Sequence, residues 1–194
     1  MTTSAIFSHD TYMIRKKVMK LFGGAFHIYD PSGNLVLFSE LKAFKLKEDI
    51  RIYTGEDKQT EVLKIAARQI IDFAATYDIY DSKTEKKLGA LKRKGLKSIL
   101  KDEWIILDAE DKEVGLIKED STLMALLRRF INLIPQTFYA FIGEKQVASY
   151  KQNFNPFVLK ITIDFSSDTE KQYDKRLGLA AGILLSAIEG RQKS

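Results

Sequence analysis

The stretch Leu177-Gly-Leu-Ala-Ala-Gly-Ile-Leu-Leu-Ser-Ala-Ile188 is apolar on every face of a helix. Such a segment must be buried either in lipid or in protein. Crossing a bilayer takes about 20 apolar residues, whereas this run has 12, so burial in protein is favoured. Gly178, Ala180, Ala181, Gly182, Ser186 and Ala187 keep the segment thin enough to pass where other elements crowd it from all sides. Burial of Leu177, Leu179, Ile183, Leu184, Leu185 and Ile188, at about 1.5 to 3 kcal/mol each, makes it the principal core element. Upstream, Ser167-Asp-Thr-Glu170 has the form of a capping box, and Gly190 stands where a C′ glycine would. Together they predict a helix over about 168–189.

The rest of the chain supplies what would surround it. Phe26 to Leu41 reads as a hairpin, with apolar flanks around Asp30-Pro31-Ser32-Gly33-Asn34. Proline presets the first turn position and glycine is free to take positive φ. The same shape recurs at Tyr77–Asp81 with Leu88–Leu91, at Trp104–Asp108 with Val114–Ile117, and at Tyr139–Gly143 with Val147–Tyr150. In each, an aromatic opens a strand, Asp or Gly ends it, and a second strand returns after a few polar residues. Further strand signals lie at 11–21, 42–53, 60–67 and 157–164, about a dozen strands in all. A sheet of that size must curl or close, because open edges invite aggregation. Ser121 to Ile134 breaks the pattern: Leu123, Leu126, Leu127, Phe130 and Ile134 recur at helical spacing before Pro135, an amphipathic helix. The expectation is one mainly β domain over 1–194, a closed 12-stranded antiparallel barrel enclosing its own C-terminal helix.

Composition narrows the chemistry. With 194 residues and 45% of them hydrophobic, the chain has the makeup of one packed domain. It contains no cysteine, which excludes disulfides, thiolate metal sites and a cysteine nucleophile and suits a reducing cytosol. The first 17 residues hold no apolar run of the kind a secretory signal needs. No paired histidines of the HExxH kind, no GxSxG elbow, no Walker loop and no GxGxxG turn occur. His9 falls in an expected flexible N-terminal tail and His27 on a strand. The reading is therefore non-enzymatic, with no cofactor and no metal.

The successive aromatic-x-Ile-Tyr/Leu-Asp hairpins, the Gly-Ala-Leu-Lys-Arg-Lys stretch at 89–94 leading to Trp104, and the small-residue C-terminal helix resemble one superfamily. It comprises tubby C-terminal domains, phospholipid scramblases and plant LURP-one-related proteins, and the resemblance runs from about Tyr12 to Glu189. It implies a 12-stranded barrel around the C-terminal helix. Its functional implications diverge: tubby domains bind membrane phosphoinositides, and scramblases are associated with lipid movement and calcium.

Net charge is +5, yet Lys83 to Lys101 alone holds eight cations against Glu85, a local +7. Lys92, Arg93, Lys94, Lys97 and Lys101 are the candidate contacts for anionic lipid headgroups, with Leu96, Ile99 and Leu100 interspersed. A solvated basic loop with those three apolar residues tucked into the barrel end is the plainer alternative. Arg128 and Arg129 on the amphipathic helix, with Met124 and Ile131 broadening its apolar face, invite docking on a partner or membrane, and a helix that caps one barrel end is the plainer alternative. Asp164, Asp168, Glu170 and Asp174 occupy roughly the place of a calcium segment proposed in scramblases, but they lack the alternating ligands, central glycine and terminal bidentate Glu of an EF-hand loop, and helix capping with the helix dipole accounts for Asp168 and Glu170. The functional expectation is a cytoplasmic binding module, peripheral on the inner membrane face and without a transmembrane segment. A scramblase-like transporter and a protein or nucleic-acid scaffold are the alternatives, the last without a recognition helix or stacking motif.

Overall fold

The computed structural model describes residues 3–19, 23–41, 49–68, 75–94, 103–120, 136–153 and 158–189. Twelve strands are formed: β1 (Thr11–Met19), β2 (Gly23–Tyr29), β3 (Leu35–Leu41), β4 (Ile50–Tyr53), β5 (Glu61–Ala67), β6 (Thr76–Asp81), β7 (Lys87–Arg93), β8 (Glu103–Leu107), β9 (Glu113–Glu119), β10 (Thr137–Ile142), β11 (Lys145–Asn153) and β12 (Leu159–Asp164). Each pairs antiparallel with its neighbours in sequence, and β12 returns to β1, from Thr11 opposite Asp164 to Lys16 opposite Leu159. The barrel is closed: among the described residues each strand pairs with a neighbour on both sides.

The turn at 30–34 shows how the sequence sets register. Gly33 sits at φ +83° and its N–H donates to the Asp30 carbonyl at 3.0 Å. The Asp30 carboxylate accepts the Asn34 backbone N–H at 2.8 Å and its side-chain amide at 3.0 Å. Along each strand, alternate side chains turn inward, so Tyr12 and Ile14, Leu63 and Ile65, Trp104 and Ile106 enter one core.

That core is organised around α2 (Lys175–Glu189), in which every residue from Leu177 to Ala187 is buried. It packs against β12, β7 and β1. The predicted reason for its glycines holds: a Cβ on Gly182 would lie 2.5 Å from Ile163 Cδ1 and 2.9 Å from Ile14 Cδ1. No helix among the described residues is long and apolar enough to cross a membrane.

The helix starts later than the capping-box reading places it. Residues ahead of Lys175 make turns instead, in which the Asp168 carboxylate accepts the N–H groups of Gln172 (2.9 Å) and Tyr173 (2.8 Å) and Lys171 takes φ +55°. The working N-cap is Asp174: its carboxylate accepts the Arg176 N–H at 2.9 Å and its carbonyl the Gly178 N–H at 3.0 Å. Asp174→Ala should therefore cost about 1 to 2 kcal/mol in urea unfolding and Asp174→Asn less, because the amide oxygen still caps. Equal stability of Asp174→Ala and the parent would remove Asp174 from that role.

The N-terminal segment, expected as a flexible tail, is tied down. It begins with the short helix α1 (Thr3–Ile6), and Ile6 is buried in the core. The Tyr12 hydroxyl donates to the Ile6 carbonyl at 2.8 Å, and the Lys175 ammonium donates to the His9 carbonyl and the Asp10 carboxylate, both at 2.8 Å. The amphipathic helix expected at 121–134 lies outside the described residues.

Candidate functional site

The basic run begins at one barrel end and continues toward the other. Lys83 and Lys86 belong to the β6–β7 turn, Lys87 opens β7, and Lys92 and Arg93 close it. At about 3.3 Å per residue, Lys87 and Lys92 are separated by about 17 Å along the strand. The count of cations in sequence is thus spread along one staves' length of the barrel. Lys97 and Lys101 lie outside the described residues.

Strand alternation divides Lys92, Arg93 and Lys94 further. Gly89 and Leu91 face the interior, since a Cβ on Gly89 would lie 3.1 Å from Leu177 Cδ2 and Leu91 belongs to the core. Arg93 follows them inward, opposite Trp104. Lys92 and Lys94 project from the outer wall, and both are exposed.

On that wall the register assembles a surface that sequence order hides. One row runs Lys92, Ile105, Leu116, Phe141 across β7 to β10. The neighbouring row places Glu103 opposite Lys118 and Lys118 opposite Tyr139, and Lys94 joins it through its N–H to the Glu103 carbonyl at 2.9 Å. Ile105 and Leu116 pack with Ala90 and Leu107 as a second apolar cluster, separate from the core. The Lys118 ammonium stands 4.6 Å from the Phe141 ring centroid, a cation–π contact. The Lys94 ammonium pairs with Glu103 at 2.9 Å, but both side chains are partly exposed and such pairs contribute little. Lys92, Lys94 and Lys118 thus surround half-exposed Leu116, Phe141 and Tyr139 with one carboxylate among them.

Lys118 was not nominated by the sequence because it stands alone in β9. Its signal was available only as an alternation, Leu116 and Lys118 outward with Ile117 inward, and needed strand register to join it to Lys92. A second cation that the sequence did not single out is Lys16, which turns inward and donates to the Ser186 carbonyl at 3.1 Å. There it meets the negative end of α2, a favourable placement.

The other candidate groups have local partners. Asp164 accepts the Ser166 N–H at 2.8 Å, Glu170 pairs with Lys145, and Asp168 and Asp174 cap the turn and the helix. Among the described residues no group of three or more His, Asp or Glu side chains converges as a metal site. His27 faces outward, 2.5 Å from Glu56 and stacked beside Tyr29.

These features define the class: a closed 12-stranded antiparallel barrel built around its own C-terminal helix. No family model matches the chain, and no curated protein matches it. Among solved structures, it is similar to the X-ray structure of the Arabidopsis thaliana protein AT5G01750, with 14% identity, a TM-score of 0.53 and 94% of each chain covered. At that identity the likeness concerns the fold.

Proposed function

We propose that this protein is a non-enzymatic member of the tubby, scramblase and LURP-one-related superfamily that docks on anionic lipid through the outer wall of β7–β10. The observation that carries the reading is the pairing of exposed Lys92 and Lys118 with half-exposed Leu116 and Phe141 on one face. Cations near an anionic leaflet contribute about 1 kcal/mol each, and an aromatic at headgroup depth adds apolar contact. The burial of α2 within the barrel gives the lipid-transporter alternative no support, since that alternative needs the helix in the bilayer.

The test is sedimentation with phosphatidylserine-containing and pure phosphatidylcholine vesicles. Binding is expected only to the former and to weaken with salt. Reversing two charges, Lys92→Glu with Lys118→Glu, should lower the partition coefficient on the order of a hundredfold. Binding that survives the double reversal, or that ignores vesicle charge, would overturn the reading. Addition of Lys97→Glu and Lys101→Glu asks whether these two nominated lysines contribute further.

A further inference from the structure

The end of the barrel at which both the basic run and α2 begin carries a cleft of about 1070 Å³. It is bounded by the N-terminal segment, the turns before β5 and after β6, and the chain leading into α2. Ligand sites usually run from about 300 to 1,000 Å³, so the cleft is of ligand size. Phe7, Val62 and Tyr173 give it an apolar lining.

Five carboxylates also line it, and each is already engaged. Asp10 pairs with Lys175 at 2.8 Å. Arg176 holds Asp81 at 2.7 Å and Asp174 at 2.6 Å, and its proton is bound more tightly than usual, chiefly by the Asp174 hydrogen bond. Glu61 takes Arg51 at 2.7 Å and the Ser82 hydroxyl at 2.8 Å. Asp168 accepts the two backbone N–H groups of Gln172 and Tyr173. The cleft's cations divide differently. Arg176 and Lys175 are consumed by those pairs, whereas the ammonium groups of Lys83 and Lys171 make no ion pair or hydrogen bond among the described residues. Lys171 acts on Asp10 through space only, helping to hold that carboxyl below its usual range behind the larger effect of Lys175.

With Arg51 counted, five cations face the five carboxylates, so the cleft is neutral overall, and the two ammonium groups without a direct partner stand beside an apolar lining. We infer that the cleft is a binding site for a small amphiphilic anion, a carboxylate or phosphate monoester on a short apolar body, with Lys83 and Lys171 receiving the anion and Phe7, Val62 and Tyr173 the apolar part. The site is independent of the lipid-docking wall, which lies on β7–β10 and uses other residues. The anion could reach the cleft as a free metabolite-sized molecule or as a lipid headgroup, and the experiment separates the two.

The probe is octyl phosphate below its micelle concentration, followed by amide chemical shifts on the intact protein, with octanol, inorganic phosphate and phosphatidylserine vesicles in parallel. Saturable shifts are expected at Lys83, Val62, Lys171 and Tyr173, with inorganic phosphate weaker at the same lysines. The double variant Lys83→Glu, Lys171→Glu should weaken octyl phosphate at least about tenfold, the equivalent of one lost charge-assisted contact or more. Both side chains are exposed, so the variant should fold, and an unchanged far-ultraviolet spectrum and thermal midpoint check this. Lys92→Glu with Lys118→Glu should leave octyl phosphate binding intact. Octanol binding as tightly as octyl phosphate, shifts centred on β8–β10, or affinity unchanged in Lys83→Glu, Lys171→Glu would each overturn the inference. Vesicles that shift the same cleft amides would assign the anion to a headgroup; vesicles that leave them unmoved would assign it to a free molecule.

Discussion

Alanine at Gly178 is expected to destabilise the protein by about 2 kcal/mol, the reverse of what helix propensity alone predicts. Within a solvent-facing helix the same change gains about 1 kcal/mol. Here the added Cβ would be driven against Phe165, 2.6 Å from Cζ, and would stand 3.0 Å from Tyr173 Cε1. Neither ring can retreat easily. Phe165 is 2% exposed, met edge-on by Tyr12 at 6.2 Å and by the tilted ring of Tyr173 at 6.1 Å between ring centroids. Overpacking a rigid site costs about 1 to 3 kcal/mol or more, which outweighs the propensity gain. Gly182→Ala is the internal comparison, because the atoms it meets are the terminal methyls of Ile163 and Ile14, which can rotate aside. It should fall within about 1 kcal/mol of the parent, cost and propensity nearly cancelling. Urea unfolding of the two variants decides the matter: a Gly178→Ala protein more stable than the parent would show that α2 is not enclosed at that position.

That comparison also indicates how far the sequence could be read. The twelve-residue apolar run was sufficient to place a helix inside the barrel, because its length and its small residues both argued against lipid, and burial of Leu177 through Ala187 follows. The hairpins at 26–41 and 77–91 were legible for the same kind of reason, local turn chemistry flanked by alternating residues. The start of α2 was not. Ser167-Asp-Thr-Glu170 satisfies the capping pattern, yet Asp168 spends its carboxylate on a tight turn, and the cap falls to Asp174, whose competing claim is visible only once the chain direction is known. The outer-wall surface was half legible. A count of lysines finds Lys92 and Lys94, but their separation from Arg93 and their union with Lys118, Leu116 and Phe141 depend on long-range register, which no local pattern encodes.

The same aromatic cluster that constrains Gly178 should make the protein sensitive to alkali. The Tyr150 hydroxyl is fully enclosed, 3.3 Å from that of Tyr173, and donates to the Gly178 carbonyl at 3.1 Å. Burial raises the pKa of Tyr150 well above the ordinary value of 10.0, with Tyr173 adding to the effect. Burial likewise raises Tyr173, against its hydrogen bond with Tyr150, and pushes Tyr12 up to about 12. In the unfolded chain all three would titrate near 10. The folded state therefore holds protons that the unfolded state releases, so this contribution to stability is fully present below about pH 10 and is lost as pH rises through the folded values. Each such tyrosine contributes a slope of about 1.4 kcal/mol per pH unit in its own window, so while all three hold their protons in the folded state the stability falls by about 4 kcal/mol per pH unit. Tyr12→Phe gives the discriminating result. It loses the hydrogen bond to the Ile6 carbonyl and should be less stable by about 1 kcal/mol at neutral pH. Above pH 10 its stability should fall less steeply than the parent's, by one tyrosine's share of the slope, so the two curves converge as pH rises. Urea unfolding at a series of alkaline pH values measures this directly. Parallel curves, or tyrosine absorbance showing all eight residues ionising reversibly near pH 10 in the folded protein, would show that the cluster is not sealed from water.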